Sequence, residues 1–298
     1  MDRRKATATG FTAILMWSLL ALLTIGSAPV PPFLLSAITF SIGGVLGLGW
    51  AAVGGLGRLA RVPWRVYAFG IAGLFGYHAL YFTAFRIAPA AETGLIAYLW
   101  PLFIVLLSGL ATGERLRPLS VAGAVIAFAG AALIVLSRGA GGPVPPVGLA
   151  LGLAGAVVWA GYSVLSRRFG DVPSESVAVY CLGTAILSGL AHLAFETTVW
   201  PQSAWGWLSV LGLGIGPVGA AFFTWDIGMK KGDLPLLGVA AYAAPLLSTL
   251  VLVAAGIAPG TWTILAAALL VTFGAALAGR GRARTADEVE SRRRISAA

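Results

Sequence analysis

Ionisable side chains are scarce inside the apolar stretches of this 298-residue chain. Each one that does fall there is a candidate for chemistry, because a charge at membrane depth is costly to keep. His78 is the deepest. It can hydrogen-bond a substrate or carry a proton near neutral pH, or serve as a satisfied core histidine. Asp226 lies about one turn from the end of an apolar run, where Lys230 at i+4 is within reach on a helix. Glu92 opens a run, where a carboxylate suits the helix dipole. His192 and Glu196 lie at the far edge of another run and are expected to be solvated. No two carboxylates share mid-depth, which argues against proton antiport on buried acids and against a carboxylate-rich sodium site. The two histidines lie on different segments without a metal-spaced partner, and no Gly-x-Ser-x-Gly elbow stands out. No catalytic group, metal or cofactor is therefore expected. Cys181 is the only cysteine, so neither an intramolecular disulfide nor a thiolate cluster can form.

The ten tryptophans sort by depth. Trp50, Trp64, Trp200, Trp205, Trp207 and Trp262 fall at the ends of apolar runs, where an interfacial belt accounts for them. Trp17, Trp100 and Trp159 fall near mid-run, and Trp225 about one turn from an end. A mid-run indole either packs in a core or walls a cavity, where its face covers a planar or aliphatic substrate and its N–H donates. Helical spacing groups further side chains. Tyr77 and Tyr81 (i, i+4) share a face with His78 beside it. Trp159, Tyr162 and Ser163 share another, and Phe222 and Trp225 a third. Tyr98 and Tyr242 flank mid-run prolines. The candidate substrate-binding set is thus Trp17, His78, Tyr81, Tyr98, Trp100, Trp159, Tyr162, Phe222, Trp225 and Tyr242. Pro101 and Pro245 are candidate hinges. A mid-helix proline leaves the carbonyl four residues back unpaired: Ala97 for Pro101, Ala241 for Pro245 and Leu213 for Pro217.

The elements that must position these residues are membrane helices. Only 10% of residues are charged, 58% are hydrophobic, and mean hydropathy is +0.90. A soluble core of this length could not hide so much apolar surface, so lipid is its solvent. The 40 glycines suit close helix approach. Apolar runs and breakers place spans near 10–26, 33–55, 65–87, 90–111, 118–137, 147–168, 175–195, 207–229, 235–255 and 261–279. The first run imitates a signal peptide, but Pro29 after Gly26-Ser27-Ala28 would block cleavage, so it reads as a retained span. Pro89, between Arg86 and Glu92, marks the turn between the third and fourth spans.

Charge orients the set. With both ends in the cytoplasm, that side holds 18 of the 20 Lys and Arg, and the other side only Arg86 and Arg138. This is the basic excess expected of cytoplasmic loops, and an error of one span would scramble it. The net charge of +9 is thereby a topology signal, and nucleic acid is not an expected partner.

The ten spans divide into two fives. Trp17 pairs with Trp159. Tyr98-Leu99-Trp100-Pro101 pairs with Tyr242-Ala243-Ala244-Pro245, and Gly130-Ala131-Ala132-Leu133 with Gly274-Ala275-Ala276-Leu277. The offsets are 142, 144 and 144 residues. Five is odd, so the second copy enters from the opposite face, the inverted repeat of many carriers, with a site near midplane. The expected plan is an all-α polytopic protein: repeat 1–137, linker 138–146, inverted repeat 147–279 and basic tail 280–298. Ten spans can enclose a cavity in one chain, so a monomer suffices.

On the repeat, the basic first loop and the stretch Tyr81 to Arg117, the chain resembles the drug/metabolite transporter superfamily, in its ten-span EamA-type branch. Ala88-Pro89-Ala90-Ala91-Glu92 and Tyr98-Leu99-Trp100-Pro101-Leu102 look like the aromatic amino acid exporters of that branch. Gly113-Glu114-Arg115 is a wider superfamily pattern. The resemblance implies export of aromatic and other neutral amino acids across a bacterial inner membrane. Ala244 stands where a second copy of Trp100 would be, so the site need not be symmetric. Other small amphipathic metabolites or drugs are the alternative cargo, and an intramembrane enzyme or sensor the alternative class. A single Gln and no Asn disfavour sugars.

Overall fold

In the computed structural model, residues 1–88, 93, 96–112, 118–137, 145–257 and 260–277 are described. Pro89, Glu92, the Gly113-Glu114-Arg115 pattern, most of the linker and the basic tail lie outside them. The described residues are helical with no strand. The main elements are α1 (Arg3–Gly26), α2 (Pro32–Gly54), α3 (Trp64–Ile87), α4 (Trp100–Thr112), α5 (Pro118–Ser137), α6 (Pro146–Phe169), α7 (Ser174–Phe195), α8 (Ala204–Lys231), α9 (Leu234–Ala254) and α10 (Trp262–Leu277). Seven, namely α1 to α3 and α6 to α9, are long and apolar enough to cross a bilayer. The protein is an all-α polytopic membrane protein. Lipid must solvate its flanks, where Val53, Leu193, Phe195 and Leu269 stand exposed.

Local chemistry starts these helices where expected. Asp2 accepts from the backbone N–H of Lys5 (2.8 Å), Ser203 from Gly206 (3.0 Å) and Asp233 from Leu236 (3.0 Å). Pro32 and Pro146 occupy first-turn positions that need no donor. The first helix begins at Arg3, earlier than the apolar run, because the Asp2 cap sits there.

The mid-run prolines act as helix starters rather than as kinks in continuous helices. A turn at Tyr98–Leu99 precedes α4, so Pro101 falls in its first turn. In α9 the helix stops at Ala240, turns through Ala241–Tyr242 and restarts at Ala243, two residues before Pro245. The Ala241 carbonyl, expected to be left open by Pro245, accepts instead from the Ala244 N–H at 3.0 Å. Repacking into a tighter turn satisfies it locally. α8 takes a third solution, a π-helical turn at Gly216–Ala220 around Pro217.

Packing shows the two-fold relation between halves. α1 packs on α8 and α6 on α3, which are equivalent pairs under an exchange of halves, while α2 pairs with α7. The relation extends to single atoms. A methyl at Gly130 of α5 would stand 2.9 Å from the Ala267 carbonyl oxygen, and one at Gly274 of α10 would stand 2.5 Å from the Gly123 carbonyl oxygen. Gly274 is Gly130 plus 144, and Ala267 is Gly123 plus 144. Both contacts need glycine, because any Cβ would push the backbones apart.

Loops gather at two ends. At one end Arg3 meets Asp233 (3.3 Å), Arg58 meets Glu175 (2.6 Å), and Arg167 donates to the Gly232 carbonyl (2.9 Å). At the other, the start of α2 meets the ends of α3 and α7 through Glu196.

Candidate functional site

The indoles of four different helices meet in one cluster. Trp17 of α1 lies 6.1 Å from Trp100 of α4, 6.0 Å from Trp159 of α6 and 5.0 Å from Trp225 of α8, ring centre to ring centre. Trp100 lies 6.2 Å from Trp159 and 5.9 Å from Trp225. Most of these pairs are edge-to-face, the arrangement the ring quadrupole favours. Trp17 and Trp159 are repeat partners, so the two halves touch here through equivalent side chains. Trp100, Trp159 and Trp225 are buried and Trp17 is half-buried. By contrast, all six tryptophans read as interfacial are exposed, from 43% for Trp50 to 84% for Trp262.

Two indole donors are spoken for. Trp17 Nε1 donates to the Pro217 carbonyl at 3.1 Å, which ties α1 to the π-helical turn of α8. Trp225 Nε1 donates to Ser163 Oγ at 3.0 Å, which ties α8 to α6. Each bond joins the first half or the sixth span to α8 at the cluster's edge.

A second aromatic layer runs from the cluster along α3. Tyr77 packs on Trp159 (5.2 Å), on Tyr81 (5.6 Å) and on His78 (5.1 Å). Phe222 bridges the layers, 5.6 Å from Trp159 and 6.0 Å from His78. His78 Nδ1 lies 2.7 Å from the Leu74 carbonyl. A carbonyl only accepts, so Nδ1 carries the proton, and in the neutral ring Nε2 is an acceptor. Tyr162 continues the cluster from Trp159 (5.5 Å) to Phe69 (5.6 Å). Tyr98 lies at the turn before α4, two residues ahead of Trp100.

Beyond Tyr98, eight of the ten candidate substrate-binding residues belong, through ring contacts, to this connected aromatic system. Tyr242 does not. It packs on Phe128 of α5 (6.0 Å), in a separate cluster with Val105, Ala127 and Leu246. Its ring faces α5 from the turn at Ala241–Tyr242. Phe40 of α2 was not among the candidates. It stacks on Phe222 (5.4 Å) and meets His78 edge-on (4.9 Å). Its nearest aromatic on that face of α2 is Phe33, two turns away, a stripe too sparse to flag it.

His192 and Glu196 depart from the expectation of solvation: the side chains of both are buried, that of Glu196 to 1% exposure. Glu196 accepts from the backbone N–H groups of Phe33 (3.0 Å) and Leu34 (3.1 Å) at the start of α2, and from Arg86 of α3. His192 Nδ1 lies 3.0 Å from its carboxylate, and Nε2 2.8 Å from Thr198 Oγ1. The helix N-terminus and the cation replace the water that the carboxylate gives up. Among the described residues, no group of three or more metal-ligating side chains is found.

The model of the EamA-like transporter family matches twice, at residues 4–136 and 146–280. The chain is 54% identical over 282 residues to the aromatic amino acid exporter YddG of Ancylobacter novellus, covering 93% of this chain and 98% of that one. It is 24% identical to the protein of the same name from Escherichia coli, over 93% of this chain and 97% of the other. A solved crystal structure superposes with a TM-score of 0.91 at 53% identity, covering 95% of this chain and 99% of that one.

Proposed function

The chain belongs to the EamA-like transporter family, and from that premise we propose that it exports aromatic and other neutral amino acids from the cytoplasm by alternating access. The observation that carries this reading is the meeting of Trp17, Trp100, Trp159 and Trp225, from four spans and both halves, on the line between the repeats. Carriers built on inverted repeats bind at that place. Half-buried Trp17, Tyr77 and His78 edge the cluster with faces left for a ligand. Aromatic faces suit an apolar or planar side chain, and can also attract an ammonium by cation–π interaction. The relative at 54% identity bears the name of an aromatic amino acid exporter, which agrees with that chemistry.

In this reading residues 1–137 and 147–279 are the two halves that rock, with 138–146 the linker and 280–298 a cytoplasmic tail. Both ends face the cytoplasm of a bacterial cell and the protein sits in the inner membrane. Pro101 and Pro245, at repeat-related helix starts, are the hinges. No carboxylate pair lies in the cluster, so movement is facilitated and gradient-driven. One chain holds the whole site, so a monomer is competent.

The test is uptake of labelled amino acids, one at a time, by liposomes holding the purified protein. Saturable uptake of neutral aromatic amino acids without an imposed ion gradient is expected. Transport of no neutral amino acid would overturn the reading. Topology is checked in a Cys181→Ser background: single cysteines at positions 30, 140 and 257 should react with an impermeant thiol reagent outside, and those at 60, 115 and 170 should not.

A further inference from the structure

At the end of α8 that bears the basic loops, two opposite charges are buried together. Asp226 Oδ2 lies 2.8 Å from Lys230 Nζ, and each side chain is 1% exposed. Lys230 also donates to the Val172 carbonyl in the α6–α7 loop (3.1 Å). Both Asp226 carboxylate oxygens are buried, with Lys230 as their charged partner. Trp225, the residue before Asp226, is the link to the cluster, through its bond to Ser163 of α6 and its ring contact with Trp17.

Two features set this pair apart from a structural clamp. First, both residues belong to one helix at i, i+4 spacing, so the pair ties α8 to itself and survives any rigid movement of α8. What ties α8 to its neighbours is Lys230 to Val172, with Arg167 to Gly232 beside it. Second, two apolar residues of similar volume would hold such a buried position at least as well as an ion pair.

Opening of this end removes the Val172 carbonyl from Lys230 and lets water reach the pair. An exposed i, i+4 pair is weak, so both charges then become available to a competitor. A free amino acid is such a competitor. It carries an ammonium and a carboxylate on one carbon, the same two charges at a similarly short separation. Its side chain would then lie toward Trp225, the near edge of the aromatic cluster.

We propose that Asp226 and Lys230 form a reception site for the amino-acid zwitterion on the cytoplasmic side, Asp226 taking the substrate ammonium and Lys230 its carboxylate. This rests on the reading of the chain as an amino-acid exporter and names a residue pair for its loading step.

The test uses the full chain in liposomes of defined sidedness. The half-saturating concentration of a labelled neutral aromatic amino acid is measured from each face, for the wild type, Asp226→Asn, Lys230→Gln and the double variant. The value from the cytoplasmic face should rise at least ten-fold in all three variants, and the value from the outer face should stay within two-fold. Tryptamine, which lacks the carboxylate, should inhibit Lys230→Gln from the cytoplasmic face as well as it inhibits the wild type, and Asp226→Asn at least ten-fold less. A single variant with one buried charge left over can misfold, and then the neutral double variant decides. Wild-type behaviour of the double variant from both faces makes the pair a structural element and overturns the proposal, as does an equal rise from both faces. Failure of the wild type to transport any neutral amino acid is a different result, seen before any variant is compared, and overturns the transport reading with it.

Discussion

Trp17→Phe isolates one bond at the centre of the molecule. The indole N–H of Trp17 donates to the Pro217 carbonyl at 3.1 Å, and that carbonyl sits in the π-helical turn of α8. Phenylalanine keeps a ring against Trp100, Trp159, Phe222 and Trp225 but cannot donate. Interhelical hydrogen bonds in membrane proteins average about 0.6 kcal/mol and reach about 1.7 kcal/mol. At ten-fold per 1.4 kcal/mol, the loss is roughly 3- to 17-fold in an equilibrium that makes or breaks the bond. Trp17→Ala removes the ring as well. For a packed tryptophan that costs about 3–5 kcal/mol, a step clearly larger than the first. Two assays read the series. Reversible unfolding in mixed detergent should order the proteins wild type, Phe, Ala with those spacings. Transport should follow, with the Phe variant altered in half-saturating concentration by no more than the same factor. A Phe variant as damaged as the Ala variant would show that ring size, and not the donor, holds α1 to α8. A Phe variant equal to the wild type in both assays would show that the bond contributes nothing.

Three further outcomes follow from the packing. Gly219→Ala would drive a Cβ into the Gly214 carbonyl inside the π-helical turn, whereas at Gly216 nothing stands within 4 Å. Gly219→Ala should cost about 1–3 kcal/mol and impair transport, and Gly216→Ala should stay within about 1 kcal/mol, as read by thermal stability in detergent; equal effects would refute the clash. A double-mutant cycle of Trp225→Phe and Ser163→Ala should return a coupling of about 0.6–1.7 kcal/mol, because the two side chains share one bond of 3.0 Å; zero coupling would mean the bond is not made. Glu196→Ala strands two N–H groups at the start of α2 and should cost about 3–5 kcal/mol in the same unfolding assay. Arg86→Met, removing a partner that is 39% exposed, should cost about 1 kcal/mol or less. The reverse order would mean that the cation, not the helix terminus, holds the carboxylate.

Position along a span was legible from the sequence, because each apolar run has a fixed rise per residue. It separated six tryptophans at run ends, which are exposed, from Trp100, Trp159 and Trp225, which are buried. The repeat was legible for the same reason: spacing survives where side chains diverge. Direction and neighbours were less so. Tyr242 is the repeat partner of Tyr98 by position, yet its ring packs on Phe128 of α5, outside the tryptophan cluster. The prolines marked where helices break, but not that Ala244 would take the Ala241 carbonyl. Glu196 was placed correctly near an edge, but its partners Arg86 and the α2 terminus lie more than a hundred residues away in sequence. Asp226 and Lys230 could be paired from i, i+4 spacing alone, since the helix itself brings them together.

The central claim is that the four-tryptophan cluster binds the substrate. Equilibrium binding of labelled L-tryptophan to the purified protein, on folded and monodisperse samples, tests it most directly. The wild type is compared with Trp100→Ala and Trp159→Ala, and with Trp200→Ala and Trp207→Ala as exposed controls. The account predicts at least ten-fold weaker binding for each cluster variant and a change within two-fold for each control. Wild-type affinity in both cluster variants would contradict it.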